Sequence, residues 1–331
     1  MNFLVVGQGS AGQRHLRVLN NLFGDSANIY AYRGLHKRGL ISQDLKFEDI
    51  SMDPIEVYAA KEIMNYSDLN STPWDLVIIA TPPSSHFEYM KVLAPVSKRV
   101  LIEKPISVLE DDAKAIYELA RTKQIPVLIG YQMAFHPLKK MIEGELPSLG
   151  QILSCTTIFK EDLSGMNPFR SMKDHHLSFP EGGGVFLSLS HDLEFLLSIF
   201  HQTFCKDPIF IDKTWAMNSV LTECVLKSSI LTGSSHASMS NSFSFLPGQT
   251  QRFGEIVGVN ARITWDLMRG SFVVYDNGNA VIRQESVMIE KDEMFSLQIQ
   301  RILAMNDLED FCIANLERSV FISEISSLAR V

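Results

Sequence analysis

The chain has 331 residues, enough for about two domains of ordinary size. Its composition, 46% apolar and 21% charged, excludes a disordered chain. The net charge is −8, and residues 1–130 hold 14 basic and 15 acidic side chains against 16 and 23 in the remainder. With no long Lys or Arg run, this balance argues against nucleic-acid binding. No stretch approaches the roughly 20 apolar residues of a membrane span, so no membrane partner is expected. The chain opens directly on Phe3-Leu4-Val5-Val6, without a basic segment leading into an apolar one. No secretory signal is therefore expected, and the expected location is cytoplasmic. Cys155, Cys205, Cys224 and Cys312 form no C-x-x-C pair and read as reduced thiols.

Apolar runs at 2–6, 27–33, 75–80, 99–103 and 126–130 read as strands, with helical spacing at 12–23, 84–94 and 108–124 between them. Asp111 and Asp112 fall early in the last helix, where the positive helix end favours carboxylates. This alternation predicts an α/β domain over 1–130, a doubly wound parallel sheet covered by helices. Beyond it, strand-like stretches follow one another at 151–159, 208–217, 223–232, 235–245, 254–259, 261–267, 271–276 and 280–286. Asp276-Asn277-Gly278-Asn279 reads as the turn between the last two. Helical patterns fall at 185–200 and 293–315. Residues 131–331 are thus expected to form an α+β domain with a large, mostly antiparallel sheet. Segments 254–267 and 271–276 look apolar on both faces in places, which predicts a homodimer or homotetramer joined through that sheet. Residues 160–184 are the longest irregular stretch, and a loop of that length is often functional.

The chemistry concentrates where predicted strands end. Gly7-Gln8-Gly9-Ser10-Ala11-Gly12 follows the first strand and opens a helix, the context in which G-x-G-x-x-G signals dinucleotide binding. Gly7 serves the tight turn, Gly9 the approach of a pyrophosphate and Gly12 close helix–strand packing. Ser10 and Ala11 start the helix whose N-terminus faces the phosphates. At the end of the second strand a carboxylate would bind the ribose of NAD, but Tyr32 and Arg33 stand there, followed by His36, Lys37 and Arg38. That basic cluster slightly favours NADP over NAD. Ala80-Thr81-Pro82-Pro83-Ser84-Ser85-His86 and Glu103-Lys104-Pro105 follow two further strands, at the nucleotide crevice. Ser84 is a candidate cap for the next helix.

GQGSAGQRH, ATPPSSH and EKP, in that order and spacing, resemble the Gfo/Idh/MocA family of NAD(P)-dependent oxidoreductases. Gly130-Tyr131-Gln132 with Phe135-His136-Pro137, and Gly182-Gly183-Gly184-Val185 with Ser190-His191-Asp192, resemble its later motifs. The resemblance implies an N-terminal Rossmann domain that binds the dinucleotide, with Pro82, His86, Glu103 and Gln132 among its contacts. It implies Lys104 as acid/base or electrostatic partner of the reacting hydroxyl and His191 as second acid/base group. The implied substrate is a small sugar or nucleotide-linked sugar, as in surface-polysaccharide pathways. Two positions depart from the family: Ser188 stands near the place of an Asp, and Ala134 replaces an Arg before Phe135. Substrate candidates are Arg170, His175, His176, Ser188 and His191, with Asn167 and Lys173 in the same loop. Arg170 suits a bidentate phosphate contact. No metal is expected, because His175 and His176 are adjacent and no H-x-x-x-H helix occurs. Two alternatives stay open: a catalytically silent NAD(P)-binding sensor, and an enzyme acting on linear pigments or dihydrodiols.

Overall fold

The computed structural model describes residues 1–33, 39–42, 47–49, 52–58, 60–162, 184–201, 206–215, 221–232, 235–245 and 250–330. Described residues at 1–130 and 291–323 form one compact unit, and those at 131–290 and 324–330 a second.

In chain order the first unit runs β1 (Asn2–Val6), α1 (Ser10–Phe23), β2 (Asn28–Tyr32), β3 (Leu40–Ile41), β4 (Phe47–Asp49), α2 (Pro54–Val57), β5 (Lys61–Ile63), β6 (Leu76–Ile79), α3 (His86–Leu93), β7 (Val100–Ile102), α4 (Glu110–Lys123) and β8 (Val127–Ile129). Six strands pair in parallel in the order β5-β2-β1-β6-β7-β8, and β3 pairs with β4 alone. β6, β7 and β8 are wholly buried, as strands covered on both faces must be. The α4 charges follow the helix dipole: Glu110, Asp111 and Asp112 lie in its first turn and Arg121 and Lys123 in its last. The sixth strand, β5, escapes a reading by pattern because Lys61-Glu62-Ile63 is short and polar.

The second unit runs α5 (Pro137–Leu149), β9 (Ile152–Glu161), α6 (Gly184–Leu189), α7 (His191–Ile199), β10 (Lys206–Trp215), β11 (Leu221–Thr232), β12 (Ser235–Phe245), β13 (Gln251–Gly258), β14 (Ala261–Asp266), β15 (Ser271–Asp276) and β16 (Val281–Ser286). Its sheet has eight strands in the order β10-β11-β12-β9-β13-β14-β15-β16. Only the β12–β9 pair is parallel. One face buries Cys155, Phe159, Met239, Phe243, Ile256, Ile263, Trp265 and Phe272. A Cβ on Gly254 would lie 2.0 Å from the Trp265 ring across the ladder, so the glycine makes room for the indole. Asp276 closes the β15–β16 turn by accepting from the N–H groups of Gly278 and Ala280, both at 2.8 Å.

Four expectations are corrected. Residues 185–200 are two helices that meet at Ser190, and 293–315 divides into α8 (Lys291–Leu303) and α9 (Asp310–Arg330). Assigning all of 131–331 to a second domain also fails, since 291–323 belongs to the first unit. The cause is polar as well as apolar. Arg17 grips Asp292 at 2.6 and 3.0 Å, and Phe295 packs edge-on to His15. The Ile129 N–H donates to Asn315 at 2.7 Å, and the Ser323 hydroxyl donates to the Ser107 carbonyl at 3.0 Å. Finally, α5 occupies a stretch with no expected helix. Its start is marked by His136, whose Nδ1 accepts from the Leu138 N–H at 3.1 Å, and by Pro137 in the first turn.

Burial, reinforced by the charge of Arg252, pushes His136 down to about 4. Such a group is neutral when folded and takes up a proton near pH 6.5 when unfolded. Its contribution to stability is therefore intact above about pH 6.5 and lost as pH falls toward about 4. Urea unfolding at pH 7 and pH 5 should show a smaller acid-side loss for His136→Asn, which keeps a capping side chain. An unchanged loss would assign the acid sensitivity to other groups.

Candidate functional site

The glycine loop is built by close backbone contacts. The Gly7 N–H donates to the Tyr32 carbonyl at 2.8 Å, joining the ends of β1 and β2. Gly7 has φ +95°, and a Cβ there would lie 2.5 Å from the Ala80 carbonyl oxygen. A Cβ on Gly12 would lie 1.9 Å from the Gly7 carbonyl oxygen. Gly9 is the N-cap of α1 and supplies no side chain to it, so the first-turn N–H groups at Ser10 and Ala11 receive no side-chain cap. Gln8 is buried, and neither its Oε1 nor its Nε2 has a partner. Gln13 pins the loop from behind, donating to the carbonyls of Gln8 and Gly39 and accepting from the Ile41 N–H. A glycine cradle, an uncapped 14-residue helix and an orphaned buried amide suit a pyrophosphate.

Two more loops share this rim. The Ala80 N–H donates to the Val6 carbonyl at 2.8 Å. Ser85 Oγ lies 2.8 Å from both Thr81 Oγ1 and the carbonyl of the exposed Pro82. The proposed Ser84 cap is not formed: a 3₁₀ turn over Pro83–Ser85 precedes α3, whose N-cap is Ser85 without a side-chain bond. His86 is wholly buried, with Nε2 2.9 Å from the Thr81 carbonyl and Nδ1 3.1 Å from the Ile106 carbonyl. Both ring nitrogens thus face backbone, which makes His86 a brace between loops. Burial dominates its titration and pushes its pKa down, against those carbonyls and Glu103.

Glu103 and Lys104 follow β7. His15 Nε2 lies 2.7 Å from Glu103 Oε1, and His15 is fully buried. Burial raises the Glu103 carboxyl, but the bond from His15, its charge and the charge of Lys104 prevail and hold it below the ordinary range. Gly130 leaves room for this carboxylate, since a Cβ there would lie 3.3 Å from Glu103 Oε2. Lys104 is half-buried, and its backbone N–H faces Glu103 Oε2 at 3.3 Å. At the end of β2, Arg33 is not presented to an open crevice. Nη2 donates to Asp53 at 2.7 and 3.0 Å and Nε to Glu62 at 2.9 Å.

In the second unit the sites gather at the start of α7. His191 is 7% exposed and stands edge-on to Tyr131 at 5.6 Å. The Tyr131 hydroxyl lies 3.3 Å from Ser190 Oγ. Asp192 is buried, and Arg252 donates to its Oδ2 through both Nε and Nη2 while lying over the Phe159 ring at 4.3 Å. Burial raises the Asp192 carboxyl although Arg252 opposes it. The Ser188 hydroxyl donates to the Gly184 carbonyl of its own helix at 2.7 Å, a local use that its reading as a substrate contact did not anticipate. Gln132 is half-buried in the turn after β8. Arg38, Arg170, His175 and His176 lie outside the described residues. Sequence reasoning missed His15, Asp53, Glu62 and Arg252. His15 was visible as the last letter of the first motif, whereas the other three declare themselves only through partners distant in sequence. Among the described residues no cluster of three or more His, Cys, Asp or Glu side chains could hold a metal, and no helix is long and apolar enough to cross a membrane.

The description "Oxidoreductase family, NAD-binding Rossmann fold" matches residues 1–131. An uncharacterised oxidoreductase of Synechocystis sp. is 31% identical over 128 residues, 38% of this chain and 34% of that protein. The chain thus matches about a third of that relative's length. Two solved structures follow the whole chain. The UDP-N-acetylglucosamine 3-dehydrogenase GnnA of Acidithiobacillus ferrooxidans superposes with a TM-score of 0.75 at 16% identity, covering 100% of this chain and 96% of its own. KijD10, a 3-ketoreductase from Actinomadura kijaniata in complex with NADP and TDP-benzene, gives 0.75 at 14% identity, covering 99% and 97%. Those likenesses establish the fold, an N-terminal Rossmann sheet and a C-terminal, mostly antiparallel one. Residues 1–131 thus match the Gfo/Idh/MocA family model, that of an oxidoreductase with an NAD-binding Rossmann fold.

Proposed function

We propose that the protein is an NAD(P)-dependent oxidoreductase acting on a hydroxyl or keto carbon of a sugar or nucleotide-linked sugar, in a pathway such as surface-polysaccharide synthesis. The observation that carries this is Lys104, next to a Glu103 carboxylate held by the buried His15, on the strand rim that also bears the glycine loop. The substrate class draws on a UDP-N-acetylglucosamine 3-dehydrogenase and a 3-ketoreductase bound to TDP-benzene that share the fold.

A bound nicotinamide dinucleotide supplies the hydride acceptor or donor. The glycine loop and the first turn of α1 hold its pyrophosphate, with Thr81 and Pro82 beside them. Oxidation of a carbinol removes a hydride from carbon and a proton from oxygen. The Lys104 ammonium, beside the Glu103 carboxylate, donates to the substrate oxygen and stabilises negative charge developing there. His191 takes the departing proton and returns it in the reverse direction, a role suited to an imidazole that titrates near neutrality. The outer face of the eight-stranded sheet, with Leu153 and Phe253 exposed, meets a second copy of the chain, and the location is the cytoplasm.

Lys104→Ala should lower kcat on the order of 10²-fold or more while dinucleotide affinity stays within about threefold. Retained turnover, or no turnover in the parent protein with any sugar nucleotide, would favour the silent sensor instead. Gly12→Ala should abolish dinucleotide binding in calorimetry, because its Cβ collides with backbone rather than with a movable side chain. Light scattering at micromolar concentration should report a dimer or tetramer, and a 37.2 kDa species alone would remove the sheet-to-sheet contact.

A further inference from the structure

A doubly wound fold reads the adenosine ribose at the end of its second strand. Here that place is fixed by the Gly7–Tyr32 backbone bond, and Arg33 is the next residue. Its side chain is only 6% exposed, and its guanidinium is divided between the Asp53 and Glu62 carboxylates. Asp53 is itself held in place, accepting from the Ile55 N–H at 2.9 Å as the N-cap of α2. Glu62 is carried on β5, the strand paired with β2, and stands two-thirds buried beside Arg33. Among the described residues, one cation and two anions meet at this corner. The neighbouring surface is aromatic: the Tyr32, Tyr66 and Tyr89 rings stand 5.8 to 6.4 Å apart.

The two ribose states meet this corner differently. A free 2′-hydroxyl is a donor, and carboxylates accept from it. A 2′-phosphate is a dianion that mainly accepts, so it meets Asp53 and Glu62 as like charges and must compete with both for the guanidinium. We propose that the Arg33–Asp53–Glu62 cluster makes this site select NAD over NADP, with Asp53 and Glu62 as the selectivity-determining residues. Read along the chain, Arg33 heads a basic run and points to the phosphorylated cofactor. Its carboxylate partners stand 20 and 29 residues away and already hold its guanidinium. The inference rests on the dinucleotide-binding reading above.

Calorimetric titration of the full chain with NAD and with NADP tests it, on the parent and on the double variant Asp53→Asn, Glu62→Gln. Asn retains a capping oxygen for α2, and an unchanged thermal unfolding midpoint checks that the variant is folded. The parent should bind NAD at least about tenfold more tightly than NADP, and the double variant should cut that ratio by about tenfold, chiefly by tightening NADP. Equal or tighter binding of NADP by the parent would overturn the selectivity and leave the dinucleotide reading intact. So would an unchanged ratio in the folded double variant. Binding of neither dinucleotide would overturn both.

Discussion

The contact on which the first unit depends is the one between Gly12 and the Gly7 carbonyl, where a Cβ would come within 1.9 Å. It brings the start of α1 against the turn that ends β1. Three residues further along α1, this close seat buries His15 completely and brings its ring to Glu103. Glu103 ends the strand that presents Lys104, so the glycine spacing reaches the candidate catalytic lysine through two side chains. The same helix carries Arg17 to Asp292, which holds α8 against the unit. One steric requirement thus governs the phosphate cradle, the position of the lysine rim and the return of residues 291–323 to the first unit.

The near balance of charge in residues 1–130 acquires a physical meaning from these pairings. Arg14 and Arg17 face Asp292, and Arg33 is held by Asp53 and Glu62. Around the glycine loop the positive potential therefore comes chiefly from oriented N–H groups of α1 rather than from these arginines. A helix terminus offers about half an elementary charge, fixed in direction and already desolvated. That suits a pyrophosphate, which needs hydrogen-bond donors at defined positions more than it needs a diffuse positive field.

Much of the fold was legible because periodicity and glycine spacing are local properties. The buried runs Leu76–Ile79 and Val100–Ile102 announce a covered parallel sheet, and G-x-G-x-x-G after β1 announces what the sheet carries. The parts not legible are those fixed by partners far apart in sequence. Lys61–Ile63 becomes a strand only by pairing with β2, and residues 291–323 join the first unit through partners such as Asp292, Phe295, Asn315 and Ser323. The same distinction holds at the site. Gly7, Gly12 and Lys104 could be placed from the chain alone. The charge state of the corner around Arg33 could not, because it depends on two carboxylates brought in by separate elements. His86 and Ser188 show a further side of this: polar residues inside the motifs that also hydrogen-bond the backbone.

Acidity in the second part of the chain raises the question of how it could accept a phosphorylated substrate. At the head of α7 the answer is local neutralisation. Asp192, next to His191 in sequence, is buried against Arg252, and Arg252 also bears on His136 and Glu161. A buried carboxylate left alone there would hold a proton or destabilise the helix; the pairing with Arg252 offsets it locally. The net charge of the domain is therefore a poor guide to the charge its site presents, which depends on which carboxylates are already paired.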